Sequence, residues 1–275
     1  MKAREALAAA KVSLGGVSAT PRLDAELLMA HALGMSREQM LLAGADAEAP
    51  AAFSALLARR LTHEPVAYIT GRRAFWTIEL EVGPGVLVPR PDSETLIEAA
   101  LAIFGAQGPA TILDLGTGPG TLLLAALDQW PDARGLGVDR SEAALAYARR
   151  NADRLGLADR ADFRRGDWGA GIDARFDLIL ANPPYIAIDA ALPRDVADHE
   201  PAGALFAGSD GLDDYRRLAP QLPRLLGRDG AACVEIGAGQ RDAVASLFAA
   251  AGFTISSRED LNKVPRCLVL RKPHE

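Results

Sequence analysis

Apolar residues recur at helical spacing through the first third of the chain, and the period then changes. Leu23–Leu33 (LDAELLMAHAL) carries apolar side chains three and four apart and stops at Gly34, a residue suited to a helix C-cap. Ser36 is placed to cap a short helix that follows. Ala51–Leu61 repeats the helical pattern and ends before Pro65. Tyr68–Arg90 has another texture. Trp76, Ile78, Leu80 and Val82 alternate with their neighbours, and a period of two predicts a strand. Gly83-Pro84-Gly85 is expected to make the turn, and Val86–Val88 to start a return strand. Asp92 or Ser93 is expected to cap a helix running to about Phe104.

From Ala110 onward, strand, loop and helix alternate. Thr111–Leu115, Arg134–Val138, Ala161–Arg165, Phe176–Ala181 and Ala231–Ile236 read as five strands, and Phe253–Ser257 and Cys267–Arg271 as two more. Helices are expected at Thr121–Trp130, from the cap Ser141 to Leu155, and at Asp242–Ala251. This alternation predicts an α/β, doubly wound and mostly parallel sheet, whose ligands bind beyond the carboxyl ends of the strands. Three parts are expected: a helical domain over 1–64, a β-hairpin linker over 65–90 and a sheet domain over 91–275.

Composition narrows the function classes. Of 275 residues, 49% are hydrophobic and 24% charged, which fits a folded chain with an ample core. Lys and Arg number 30 against 36 Asp and Glu, a net charge of −6. A protein that lives on nucleic acid usually carries a basic surplus, so no stable nucleic-acid partner is expected. Two cysteines, Cys233 and Cys267, are too few for a disulfide framework or a four-thiolate zinc site. They read as small core residues, and with no apolar leader at the N-terminus they suggest a reducing, cytoplasmic setting without a metal. No stretch approaches the roughly 18 apolar residues of a membrane span. None of His31, His63, His199 or His274 adjoins a motif that demands one.

The residues that follow the strands carry the chemistry. After the first strand of the alternating region comes Asp114-Leu115-Gly116-Thr117-Gly118-Pro119-Gly120. Glycines let a backbone turn sharply and let a ligand approach it. The third glycine comes one residue early for a dinucleotide loop, and Pro119 removes an N–H that a diphosphate would use. The spacing suits a bulkier, less anionic ligand. Asp139 ends the next strand, about 20 residues on, where an acid grips a ribose diol. After the third strand stand Asp167, which can accept from an exocyclic amine, and Trp168, which can stack on a purine. The fourth strand runs into Asn182-Pro183-Pro184-Tyr185. The two prolines fix φ and hold the residue before each extended. The Asn182 side-chain oxygen and the Pro183 carbonyl thus form a rigid pair of acceptors, able to take both N–H groups of a planar NH₂. Tyr185 can lie against its face.

Together these motifs resemble the seven-stranded S-adenosylmethionine-dependent methyltransferases. The whole chain resembles the HemK-type peptide chain release factor glutamine methyltransferases. The likeness extends through Glu64-Pro65, Tyr68-Ile69, Gly71, Phe75, Val88-Pro89-Arg90-Pro91 and Glu94. Beyond Tyr185 it continues through Glu200-Pro201, Ala204-Leu205, Gly208, Asp210-Gly211-Leu212, Tyr215, Glu235-Ile236-Gly237 and Gln240. Pro119 stands where the family loop often has Ser, and Asp92-Ser93 replaces a Glu-Thr pair. Asp260-Leu261-Asn262-Lys263 departs from an Asp-Leu-x-Gly pattern.

The resemblance implies that S-adenosylmethionine is the cofactor, with its methionine end cradled by Gly116, Thr117, Gly118, Pro119 and Gly120. It implies that Asp139 binds the ribose, that Asp167 and Trp168 flank the adenine, and that Asn182 adjoins the cofactor. Asn182, Pro183, Pro184 and Tyr185 would bind the target amide, with Asn182, Pro183 and Tyr185 catalytic. The implied substrate is the glutamine N5 of the Gly-Gly-Gln loop of class I release factors, held by the helical domain of a monomeric enzyme. Two neighbouring readings share the chemistry: an adenine or guanine amino-methyltransferase, and a glutamine methyltransferase of a ribosomal protein. Arg90 and Glu94 are expected to form an ion pair between hairpin and sheet, or to touch the site.

Overall fold

The computed structural model describes residues 1–44 and 46–273, in two compact units. One comprises Met1–Arg72 with Leu192–Glu200, the other Arg73–Ala191 with Pro201–Glu275.

The first unit is helical. Helices α1 (Ala3–Leu14), α2 (Pro21–Leu33), α3 (Ala51–Leu61) and α4 (Val66–Thr70) bury Ala3, Ala6, Ala10 and Leu14 against Leu28, Met29 and Phe53. The three- and four-residue spacing gives α1 a single small-residue face, which lets α2 approach closely. Gly34 ends α2 in the left-handed conformation at φ 66°, and the Ser36 hydroxyl accepts the Gln39 N–H as a cap. A buried ion pair joins Arg60 Nε of α3 to Asp24 Oδ2 of α2 at 2.7 Å. Arg60 also reaches Asp195 at 3.3 Å, so the separate segment Leu192–Glu200 is held by the same guanidinium. Breaking such a pair would leave an uncompensated buried charge.

The second unit is a seven-stranded sheet preceded by a small hairpin, β1 (Arg72–Phe75) and β2 (Ile78–Glu81). The hairpin corrects the sequence expectation. Trp76 and Thr77 make its turn, with Trp76 at φ 54°, and its two strands lie on either side of them. Gly83–Gly85 turns later, and Val86–Val88 is buried loop, not strand. The alternation was real, but it belonged to one strand and a turn. Glu94 Oε1 accepts the Trp76 N–H at 2.9 Å and stabilises that unusual turn from 18 positions away.

The main strands are β3 (Thr111–Leu115), β4 (Arg134–Asp139), β5 (Ala161–Arg165), β6 (Phe176–Ala181), β7 (Leu226–Glu235), β8 (Thr254–Glu259) and β9 (Pro265–Arg271). Their order is β5-β4-β3-β6-β7-β9-β8. The first five run parallel, and β9 is antiparallel to both β7 and β8. Helices α5 (Glu94–Phe104), α6 (Thr121–Gln129), α7 (Glu142–Leu155), α8 (Asp213–Leu218) and α9 (Arg241–Ala250) accompany the sheet. Tyr215, Leu218, Val244 and Phe248 of α8 and α9 pack with Ile179, Val234 and Leu268 of the strands. Central strands buried on both faces explain the continuous apolar runs TILDL and FDLILA. The chain moves outward from β3 to β4 and β5, then crosses back to β6. The carboxyl ends of β3 and β6 therefore flank the point where the winding reverses, which is where open α/β sheets bind ligands.

Candidate active site

A cleft of about 1110 Å³, counting the space open to solvent, lies at that reversal point and is large enough for a nucleoside-sized ligand. Its floor is the loop after β3. Gly116 and Gly118 stand at φ 76° and 56°, a left-handed backbone that side chains resist. At Gly116 a Cβ would also lie 3.2 Å from the Trp168 ring. The loop is anchored from outside. Gly116 and Thr117 donate their N–H groups to the Val138 carbonyl. The fully buried Asn151 donates Nδ2 to the Pro119 carbonyl at 2.9 Å and to the Glu81 carbonyl at 3.0 Å, and its Oδ1 accepts the Glu81 N–H.

Asp139 ends β4 at the rim. Oδ2 accepts the Gly118 N–H at 2.9 Å, and Oδ1 accepts the Ser141 N–H at 2.8 Å. Each oxygen keeps a lone pair for a diol. Behind the loop sits Asp114, wholly buried yet lining the cleft. Its Oδ2 accepts from Thr117 Oγ1 and the Leu123 N–H, and its Oδ1 has no partner among the described residues. Burial, with the charge of Asp139 adding, pushes this carboxyl up to about 7 against the pull of the Thr117 and Leu123 bonds.

Asp167 and Trp168 also line the cleft. Asp167 does not wait free for a ligand: both oxygens accept from Arg217 Nη2 at 2.6 Å. Arg217 pairs with Asp214 as well, and Trp168 donates its indole N–H to Asp214 Oδ1 at 3.3 Å. Asp214 and Arg217 of α8 thus orient two residues of the loop after β5.

At the end of β6, Asn182 and Pro184 line the cleft, Pro183 is buried, and Tyr185 is partly buried. Asn182 donates Nδ2 to Ser93 Oγ at 3.0 Å. Ser93 stands at the N-cap position of α5, as expected, and also ends a 3₁₀ turn, Pro91–Ser93, but its hydroxyl makes no cap hydrogen bond and serves the strand end instead. Tyr185 donates its hydroxyl to Glu235 Oε1 at 3.3 Å, and burial pushes the phenol well above its ordinary range. Gln240 Nε2 donates to the carbonyls of Tyr185 and Gly211, and a Cβ at Gly211 would lie 2.3 Å from the Tyr185 oxygen. Arg90 lines the cleft, while Glu94 is the hairpin's partner described above. Asn151, Asp214 and Arg217 had no motif of their own in the sequence. No group of acids, histidines and cysteines among the described residues is arranged to hold a metal.

A relative from Rhodospirillum rubrum named release factor glutamine methyltransferase is 47% identical over 268 residues, spanning 95% of this chain and 82% of that one. The chain belongs to the release factor glutamine methyltransferase family. A second relative of that name, from Cereibacter sphaeroides, is 44% identical over 281 residues and is covered to 99%, as is this chain. The PrmC N-terminal domain family matches residues 5–71, within the span of the helical unit, and a methyltransferase domain family matches 108–234. The ribosomal protein L11 methylase of Lactobacillus delbrueckii subsp. bulgaricus shares the fold, with a TM-score of 0.52 at 23% identity over 70% of this chain and 86% of that one. For a member of this family, the fold has the expected form: an α/β methyltransferase sheet of seven strands preceded by helices. No helix among the described residues is long and apolar enough to cross a membrane.

Proposed function

We propose that this chain transfers the methyl group of S-adenosylmethionine to the side-chain amide nitrogen, N5, of the glutamine in the Gly-Gly-Gln motif of class I peptide chain release factors. The single observation that carries the reading is the state of Asn182. Its NH₂ is engaged by Ser93, which leaves Oδ1 as the end of the side chain to offer to a ligand in the cleft it lines. A cleft-lining carboxamide held this way offers an acceptor, and an acceptor is what an incoming NH₂ needs.

The cleft fits the donor. S-adenosylmethionine is cationic at its amino-acid and sulfonium end, and Asp114 Oδ1 is a buried acceptor beside the glycine loop without a partner among the described residues. Asp139 keeps lone pairs for a ribose diol, and Val138, Leu122 and the Trp168 ring supply apolar surface for a base. When bound, the donor supplies a strongly electrophilic methyl group.

An amide nitrogen is a weak nucleophile because its lone pair is delocalised. The protein's part is therefore aim. Asn182 Oδ1 and the Pro183 carbonyl accept the two amide hydrogens and fix the plane of the NH₂ group. As the nitrogen attacks it gains positive character, and both acceptors gain strength in the transition state. Holding the reacting atoms in line contributes roughly 7–11 kcal/mol by proximity. The methylated nitrogen sheds its proton readily, so no strong base is needed beforehand. The helical unit is assigned to the protein substrate.

The reading is tested by transfer of labelled methyl to purified release factor, with the target Gln replaced as the control. Label is expected on the native factor alone. Label that persists on the replaced protein, or that goes to nucleic acid instead, overturns it.

A further inference from the structure

Contacts from distant parts of the chain converge on Tyr185, the last residue of the Asn-Pro-Pro-Tyr segment. Gln240 Nε2 donates to its carbonyl at 3.0 Å and to that of Gly211 at 3.3 Å, while Gln240 Oε1 accepts the Gly237 N–H at 3.1 Å. Ile186, next in the chain, donates to the Leu205 carbonyl and accepts the Ala207 N–H. Pro184, just before, has its φ fixed by its ring. The main chain is thus held on both sides of Tyr185. A Cβ at Gly237 would lie 3.0 Å from Tyr185 Cδ2, so one edge of the ring runs close against backbone. At the tip of the ring the hydroxyl donates to Glu235 Oε1 at 3.3 Å.

Glu235 is an expensive residue to place there. It is 1% exposed at the end of β7, after a run of buried apolar residues, and its Oε2 has no partner among the described residues. A buried carboxylate so poorly satisfied is destabilising, and an apolar side chain of similar size would carry no such penalty. The base on which it stands is fixed: Tyr215 donates to the Glu235 carbonyl at 2.9 Å, and β9 pairs with Glu235 at Cys267.

We infer that Glu235 is a positioning residue: by holding the Tyr185 hydroxyl it sets where the ring points, and so where the face lies against which the target amide rests. The inference rests on the glutamine reading above. A tyrosine with a fixed main chain keeps two side-chain torsions. Its hydroxyl lies on the axis of χ2, so anchoring the hydroxyl fixes χ1, the direction of the ring. The Gly237 backbone beside Cδ2 limits χ2, the tilt of the plane. Neither contact does the work of the other. The bond persists whichever way the carboxyl titrates. Burial pushes Glu235 up to about 7 and the Tyr185 phenol well above its ordinary range, so the phenol keeps its proton, and a carboxyl oxygen accepts it in either state.

The experiment compares the full chain as wild type, Tyr185→Phe, Glu235→Leu, Glu235→Gln and the double variant Tyr185→Phe/Glu235→Leu. Methyl transfer to a release factor gives kcat and KM, and calorimetry gives the affinity for S-adenosylhomocysteine. Solvent exchange of the Tyr185 hydroxyl proton is read in ¹³C-tyrosine-labelled protein as the deuterium isotope shift at Cζ. Tyr185→Phe and Glu235→Leu are each expected to lower kcat by roughly 10–100-fold, the scale of a small misplacement at a reacting centre, with KM and nucleoside affinity kept. The double variant is expected to be no slower than the slower single one, because both changes remove the same bond. Glu235→Gln keeps most of kcat, since either end of an amide can meet a hydroxyl. The hydroxyl proton exchanges slowly in wild type and Glu235→Gln, and quickly in Glu235→Leu. Equal kcat in wild type and Glu235→Leu, losses that multiply in the double variant, Glu235→Gln as slow as Glu235→Leu, or equal hydroxyl exchange in wild type and Glu235→Leu overturns the inference. If Glu235→Leu does not fold, equal kcat in wild type and Tyr185→Phe overturns it. A wild type that leaves release factors unlabelled sinks the proposed function and, with it, the target assigned to Tyr185; label transferred with equal kcat in wild type and Glu235→Leu sinks this inference alone.

Discussion

A few side chains at strand ends carry the proposed chemistry, and those whose work is local were the ones visible in the sequence. Asp139 and Asn182 stand where a strand must end, beside glycines or prolines that restrict the backbone. Their supports were not visible, because the partners come from afar: Ser93 meets Asn182 across 89 positions, Asp214 meets Trp168 across 46, and Asn151 meets Pro119 across 32. No spacing rule links such pairs; only the folded sheet does. Two outcomes follow at this scale. Asn182→Ala is expected to keep donor binding by calorimetry and to cut kcat on the order of 10²–10³-fold, the cost of one transition-state partner. Donor affinity is expected to rise with pH through about 7, since burial keeps Asp114 protonated below that point and a cationic ligand favours the charged form. Calorimetry across that range, with Asp114→Asn losing the dependence, checks this.

Elements were legible where period and length agreed. The strands β3 to β6 and the helices α6 and α7 lie within a residue of the sequence expectation, since an apolar run between a turn and a cap has few alternatives. The hairpin was misread because a positive φ at Trp76 has no signature in a bulky residue and depends on Glu94 from outside. The short helix α8 passed unseen, since six residues hold too few turns to display a period. Lys263 makes the same point from the other side. It sits at φ 64° in the β8–β9 turn, a left-handed backbone that favours glycine. Asp260 compensates by accepting the N–H groups of Asn262 and Val264 and by pairing with Arg266. Left-handed backbone costs a side-chain-bearing residue about 1–2 kcal/mol, and glycine returns part of that relief as unfolded-state entropy. Lys263→Gly is therefore expected to raise stability by about 1 kcal/mol or less, read as a higher denaturant midpoint at unchanged slope.

At the scale of the whole molecule, the buried acids set how stability responds to pH. Asp114 and Glu235 are both raised to about 7 by burial, so the folded chain holds protons that the unfolded chain has already released. Between the ordinary carboxylate range and about 7 the unfolded state binds fewer protons, and stability must fall as pH rises. Opposite pressure acts in acid. Asp210 is held down to about 2, chiefly by Arg216, and Glu64 and Asp260 are lowered by Arg59 and by the Val264 N–H. Their contribution is present above the ordinary carboxylate range and fades as pH drops through it, although Asp210 is exposed and counts for little. The ligand-free protein is thus expected to melt highest near pH 5 and to lose stability in both directions. Asp114→Asn can keep both accepted bonds at one amide oxygen while removing the charge, so it should make the neutral limb shallower, with the Glu235 part remaining, and leave the acid limb alone. Thermal melts of both proteins across pH decide it: an unaltered neutral slope in the variant would mean that Asp114 is already ionised in the folded chain, and that the cleft meets its donor with a full negative charge in place.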